Sequence, residues 1–258
     1  MSLTDQRVLL IGAATGIGLS VLQQLLSQGA QVVAADNQLD TLLANSESIP
    51  FAANQLVCHS LDLGDHHAVS MQIQHWVEEL GQFDHLVCCA GILKPGMLHE
   101  MPLEQVKQTY DVNTFGVLAA MQAVALSMKL AAKGNMVIIG SNAANTPRNG
   151  IGAYGSSKAA LHMLVKCMGM ELAPYGIRCN IVSPGSTRTD MQRQLWTEEY
   201  GEAQVIAGDA SQFRLGIPLN KIAEPSDIAQ TVLFLMSEAA NHITLHDLRV
   251  DGGATLDN

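Results

Sequence analysis

RVLLIGAATGIGLSVLQQLLSQGAQVVAAD, residues 7–36, decides the fold of this chain. RVLLI is a short apolar run with β-branched members, GAATGIG is a glycine-rich turn, and LSVLQQLLSQG repeats its apolar residues at helical spacing before QVVAAD returns to a strand pattern. The order is strand, tight turn, helix, strand. Gly12 lets the chain turn and Gly16 lets backbone approach a pyrophosphate. Gly18 allows close packing of helix on strand, and the intervening Thr15 and Ile17 complete a loop that leads into a helix N-terminus. Free N–H groups and a positive dipole await phosphate there. Asp36 closes the second strand about twenty residues after the turn, where a carboxylate can bind both hydroxyls of an adenosine ribose. That carboxylate repels a 2′-phosphate, and no Lys or Arg lies between Gly12 and Gly18 or directly after Asp36. NAD is therefore expected in preference to NADP.

The same alternation continues outward from this unit. Apolar strands are expected at Arg7–Gly12, Gln31–Asp36, Gln55–Ser60, His85–Cys89, Asn135–Ser141, Arg178–Ser183 and Leu245–Val250, with helical patterns between them. Strands that are apolar along their whole length predict a parallel sheet covered by helices on both faces. The expected fold is α/β, a single doubly wound Rossmann-type domain over residues 1–258 with about seven strands. Ligands then belong at the carboxyl ends of the strands. The rhythm breaks only at residues 187–218, a stretch long enough to predict a lid over that edge.

A second motif carries chemistry. Tyr154 and Lys158 in AYGSSKAAL share a helix face, and Ser141 ends the apolar run NMVIIGS. A free tyrosine titrates near ~10, so using its phenolate as a base near neutral pH needs roughly 4 kcal/mol of stabilisation. An ammonium about 5 Å away supplies ~3 kcal/mol at an effective dielectric of ~20, and the Ser141 hydroxyl adds to it. A Tyr–Lys pair alone is also what an ordinary surface helix shows. Its meaning comes from the cofactor turn in the same chain.

Composition bounds the rest. The net charge is −10, with 14 Lys and Arg against 24 Asp and Glu, which argues against nucleic-acid or anionic-membrane surfaces. The N-terminus lacks a signal-peptide pattern and no apolar run reaches about 18 residues, so a cytoplasmic protein is expected. Five cysteines form no C-x-x-C pair and nine histidines show no ligand spacing; buried reduced thiols and no metal are expected.

GAATGIG, Asp36, LDL at 61–63, Ala90–Gly91, Asn113, Ser141, Tyr154, Lys158 and SPG at 183–185 together resemble the short-chain dehydrogenase/reductase family along nearly the whole chain. The resemblance implies Tyr154 as acid/base, Lys158 on the nicotinamide ribose, Ser141 on the substrate oxygen and Asn113 supporting Lys158. It also implies Asp62 and Leu63 beside adenine, Ala90 and Gly91 along the ribose, and Pro184, Gly185 and Thr187 beside nicotinamide. Ile11 and the pair Cys88–Cys89 depart from the hydrogen-bonding residues usual in that family, which puts the rigidity of the turn in question. Longer runs, among them NTPRNGIGAYGSSKAAL and GIRCNIVSPGSTRTDMQRQLW, resemble members that oxidise a cyclohexadiene diol carboxylate to a catechol acid for siderophore assembly. Other alcohol dehydrogenases or ketoreductases of the same fold, and a cofactor-binding protein with an idle site, stay open as alternatives.

A carboxylated substrate needs a cation. Arg148 is the first choice, Arg193 the second and Arg188 also within the lid; Met191, Leu195 and Trp196 would cover the ring, although Trp196 serves equally as lid packing and Arg148 as a surface contact. Small residues at Gly116, Ala119, Ala120 and Ala123, and the series Ala159, Met163, Lys166 and Met170, mark two helices that can pack on the sheet or on a second copy. The resemblance implies a homotetramer with two-fold axes.

Overall fold

The computed structural model describes residues 2–256. Seven parallel strands form one sheet in the order β3-β2-β1-β4-β5-β6-β7: β1 Arg7–Ile11, β2 Gln31–Asp36, β3 Leu56–Ser60, β4 His85–Cys88, β5 Gly134–Ile139, β6 Ile177–Pro184 and β7 Asp247–Val250. The order reverses between β1 and β4. That switch point opens a crevice at the carboxyl edge, where the chains leaving the two strands diverge.

Two apolar layers flank the sheet. On one face α1 (Gly16–Ser27), α2 (Leu39–Ser46) and α9 (Pro225–Met236) bury Val21, Leu22, Leu25, Leu42, Ile228 and Val232 in one cluster with residues of β1, β2, β5 and β6. On the other, α3 (His66–Leu80), α5 (Val117–Ala131) and α6 (Gly152–Leu172) bury Ile73, Trp76, Met121, Val124, Leu161 and Val165. α4 (Leu103–Tyr110) runs into α5 through a π-helical turn, Asp111–Gly116. Helix 103–131 taken whole is long and apolar enough to cross a membrane by length and composition, although it contains no unbroken apolar run of about 18 residues. More than half of its apolar window is buried within the protein. Gly116, Ala119, Ala120 and Ala123 are buried this way, and a Cβ on Gly116 would stand 2.1 Å from the Leu63 carbonyl oxygen. This stripe packs within its own chain.

Strand boundaries differ by one or two residues from expectation. β5 stops at Ile139 because Gly140 and Ser141 turn toward α6, and β7 begins at Asp247 because Leu245 takes a left-handed conformation, φ 61°. Residues 187–218 fold over the carboxyl edge with two short helices, α7 (Asp190–Arg193) and α8 (Glu202–Ala207). A small cluster of Val205, Ile217 and Ile222 holds this segment, with Trp196 and Tyr200 packed on it.

Candidate active site

The turn after β1 is fixed by backbone. Gly12 N–H donates to the Ala35 carbonyl at 2.8 Å and Cys89 N–H to the Ile11 carbonyl at 2.7 Å. A Cβ on Gly12, whose φ is +81°, would meet Ala90 N at 2.4 Å, and one on Gly18 would meet the Gly12 oxygen at 1.7 Å. Only glycine is compatible with either contact. Asp36 adds a brace: its Oδ2 accepts from Ala14 N–H at 2.9 Å and its Oδ1 from Gln38 N–H at 2.9 Å. Asn45 of α2 donates to the Ala14 carbonyl at 2.9 Å. Ile11 and Cys89 bring apolar packing, the Cys88 thiol meets the Ala90 backbone, and Asp36 with Asn45 braces the turn. The sequence reading did not find Asn45, since nothing in its local pattern shows that α2 folds back over the turn.

Thr15 begins α1 without a side-chain cap, so the first N–H groups of the helix face the cavity. Gly12, Thr15, Gly16, Ile17, Gly18, Asp36, Asp62, Leu63, Ala90, Gly91, Pro184, Gly185 and Thr187 all line one cavity of about 350 Å³. It continues to Ser141, Tyr154 and Lys158. An extended dinucleotide matches this layout: a cradle that any Cβ would fill, uncapped helix amides for phosphate, and a carboxylate at the ribose end.

α6 presents Tyr154 and Lys158 on one face. Burial pushes the pKa of the Tyr154 phenol up, and the neighbouring Ser141 hydroxyl opposes the rise. The Ser141 hydroxyl also accepts from Ala143 N–H at 3.1 Å. Lys158 is almost fully buried, and its Nζ donates to the Ile139 carbonyl at 2.8 Å while standing 6.0 Å from the Tyr154 ring centroid. Burial brings the Lys158 ammonium down to about 8. Burial thus works against both the phenolate and the ammonium, and the Ser141 hydroxyl favours the phenolate in the direction expected of it. Cavity space beside Gly91 adjoins Lys158, because a Cβ there would lie 3.4 Å from Nζ.

Asn113 stands behind the cavity wall and does not line it. The π turn inserts an extra residue into helix 103–131 and rotates Asn113 inward. Its amide then donates to the Ile92 carbonyl at 2.9 Å and to Ser157 Oγ at 3.1 Å, and its Oδ1 accepts from Ile92 N–H at 2.8 Å. Asn113 thus joins the segment that follows β4 to the helix that carries Lys158.

Of the residues expected at the substrate, Ser141, Tyr154, Arg148 and Met191 line the cavity. Arg193 does not: its guanidinium turns back to Asp190 at 2.7 Å. Trp196 does not either, because its ring is used in the apolar cluster that anchors the lid segment. Arg188 is held by Glu202 and by Glu224. Arg214, which the sequence reading passed over, lines the cavity alongside Arg148. Among the described residues no group of three or more His, Cys, Asp or Glu is placed to hold a metal.

Comparison with known proteins agrees with this geometry. A family model described as enoyl-(acyl carrier protein) reductase matches residues 12–255. The chain is 69% identical to the vibriobactin-specific 2,3-dihydro-2,3-dihydroxybenzoate dehydrogenase of Vibrio cholerae, over 100% of this chain and 99% of that one. It is 47% identical to the 2,3-dihydro-2,3-dihydroxybenzoate dehydrogenase of Bacillus subtilis, over 95% and 94%. Among solved structures, a 7α-hydroxysteroid dehydrogenase complexed with NADH and 7-oxo glycochenodeoxycholic acid superposes with a TM-score of 0.89 at 28% identity, covering 99% of this chain and 96% of that one. Matches of this extent, on a parallel sheet whose glycine turn and Ser141–Tyr154–Lys158 set share one cavity, mean that the chain belongs to the short-chain dehydrogenase/reductase family of nicotinamide-dependent oxidoreductases.

Proposed function

We propose that this enzyme oxidises 2,3-dihydro-2,3-dihydroxybenzoate to 2,3-dihydroxybenzoate with NAD, in the cytoplasm, as a step of catechol-siderophore biosynthesis. The observation that carries the chemistry is the single cavity that Tyr154 and Ser141 line together with Asp36. The substrate is carried by the extent of identity to relatives that bear that activity in their names.

A nicotinamide dinucleotide held along Gly12–Gly18, Asp36 and Lys158 would supply a hydride acceptor for the carbinol carbon. Tyr154 as phenolate takes the hydroxyl proton from the oxygen on that carbon, and Ser141 holds the same oxygen as its bond to carbon becomes a carbonyl. The dienone then loses a ring proton and gains one on oxygen, giving the aromatic catechol; aromatisation drives the sequence. Lys158 orients the ribose and lends positive charge beside the phenol. Asp36 selects a free ribose, since a carboxylate next to a phosphate dianion costs more than the ~1.4 kcal/mol that a tenfold preference represents.

Absorbance of NADH at saturating diol, with the product identified by catechol fluorescence, tests this reading. NAD is expected to exceed NADP by at least tenfold in kcat/KM, and Asp36→Ser should narrow the gap. Failure to oxidise the diol would refute the substrate, and equal efficiency with NADP would refute the cofactor preference. Asp36→Ser also removes the Ala14 contact, so its activity with NAD should fall even where NADP gains.

A further inference from the structure

Four arginines lie in the loop after β5 and in residues 187–218, and their surroundings divide them. Arg188 is pinned by two glutamates and Arg193 by Asp190. For Arg148 and Arg214, among the described residues, no carboxylate approaches within the 4.0 Å of an ion pair. Each has only a neutral anchor. Arg148 donates to Thr255 Oγ1 at 3.4 Å and Arg214 to the Tyr200 phenol oxygen at 2.7 Å.

Both guanidiniums line the cavity that contains Ser141 and Tyr154, and they sense each other: burial and then the charge of Arg214 draw the Arg148 guanidinium down from its ordinary value, with Asp251 partly opposing. Two like charges held together beside apolar Met191 and Leu195, in a chain of net charge −10, are an unfavourable arrangement that an anion between them would relieve. Their backbones are fixed. Arg148 follows the Asn142–Ala144 turn after β5, and Arg214 sits in a tight hairpin in which Asp209 and Arg214 exchange N–H···O bonds at 2.9 Å both ways. One arm therefore belongs to the sheet edge and the other to the segment that folds over it.

We propose that Arg148 and Arg214 together clamp the ring carboxylate of the substrate, so that binding the anion ties residues 187–218 to the catalytic edge. Planar guanidinium forks match a planar carboxylate from two sides, and Met191 and Leu195 accommodate the apolar ring. The clamp rests on the dihydrodiol reading above, and it can be tested apart from it.

The test uses the full chain with NAD present and single substitutions Arg148→Met and Arg214→Met, with Arg214→Lys as the conservative variant and thermal unfolding as the check on folding. Benzoate is the probe of binding by calorimetry, with neutral benzamide for comparison. Turnover is measured on the dihydrodiol carboxylate and on cyclohexadiene diol without the carboxylate. Each methionine variant is expected to weaken benzoate by tenfold or more, leave benzamide unmoved, and raise KM for the carboxylated diol at least tenfold, with kcat falling less. For the diol lacking the carboxylate, kcat/KM should change less than threefold. Arg214→Lys should recover part of the loss. Equal losses on both diols, or benzoate binding unaltered by Arg214→Met, would overturn the clamp. If the native enzyme oxidised neither diol while both variants still lost benzoate, the clamp would stand and the dihydrodiol reading would fall.

Discussion

Tyr154 and Lys158 share one problem, which is that each must carry charge in a place that disfavours it. Burial lifts the phenol and brings the ammonium down to about 8, so each group resists ionisation. The two sites are coupled, and a kinetic pH profile reports the pair. The sign follows from roles: the base acts deprotonated, so kcat/KM should rise with pH, and any positive charge near the phenol moves that rise to lower pH. Lys158→Ala removes such a charge and should displace the rising limb toward higher pH while weakening NAD. Tyr154→Phe keeps the ring but loses the proton acceptor, so kcat should fall by ~10²-fold or more with NAD binding retained. Turnover near the native value in Tyr154→Phe, or an unmoved limb in Lys158→Ala, would contradict these roles. At this scale much of the site was legible in the chain, because Gly12, Asp36, Ser141, Tyr154 and Lys158 occupy positions that secondary-structure periodicity alone brings to one sheet edge. Arg193 and Arg214 were misjudged for the opposite reason. Whether a lid arginine faces inward depends on a neighbour such as Asp190 or on a hairpin closing, and neither leaves a periodic trace.

Among elements, the junction of β5, α6, β6 and β7 shows how the catalytic edge is held from behind. Gly140 ends β5, and a Cβ there would stand 2.1 Å from His162 Nε2 of α6, so the glycine lets the imidazole reach up to accept from Ser141 N–H at 3.3 Å. Behind it, His162 Nδ1 lies 3.2 Å from an Asp247 oxygen, and Ser183 donates to the other oxygen of the same carboxylate. Burial works against ionising Asp247, yet its contacts with His162 and Ser183 hold its carboxyl below the ordinary value. A depressed folded-state pKa gives stability that is present above the unfolded carboxylate's pKa and is lost as pH falls through the folded value. Asp247→Asn should therefore cost about 1–3 kcal/mol at neutral pH, the usual worth of a hydrogen bond to a buried charge. For a chain of this size that lowers Tm by about 2–4 °C per kcal/mol. The difference from the native protein should shrink in acid below about pH 4, near the carboxylate reference value. A melting temperature equal to the native one at pH 7 would show that the cluster contributes nothing. The strands themselves were readable, since burial on both faces leaves continuous apolar runs such as MVII in β5. The His162–Asp247 pair and the π turn at Asp111–Gly116 were not, because both are set by contacts across the sheet between residues far apart in sequence.

For the whole molecule, the outer face of the α5–α6 layer stays apolar after the core is built. The interior stripe at Gly116, Ala119, Ala120 and Ala123 is consumed inside the chain, so any second copy must be met by other residues. Met163 and Met170 of α6 are 63% and 64% exposed, and Leu126 of α5 and Phe115 of the π turn also reach the surface. The homotetramer that the family resemblance implies would use this face for one of its two-fold contacts. Met side chains suit such a face because their flexible thioethers adapt to a partner surface. The face also lies on the helix that carries Tyr154 and Lys158, so association would stiffen α6 at no cost to the open carboxyl edge. Glutamates at both positions, Met163→Glu with Met170→Glu, would face their own copies across a two-fold axis and add repulsion to lost apolar area. Light scattering behind a sizing column should give four times the 27.6 kDa of one chain for the native protein. The double variant should run smaller by at least half while keeping its helical circular dichroism. A double variant of undiminished mass would move the interface off α6, and a native protein of single-chain mass would refute the assembly altogether.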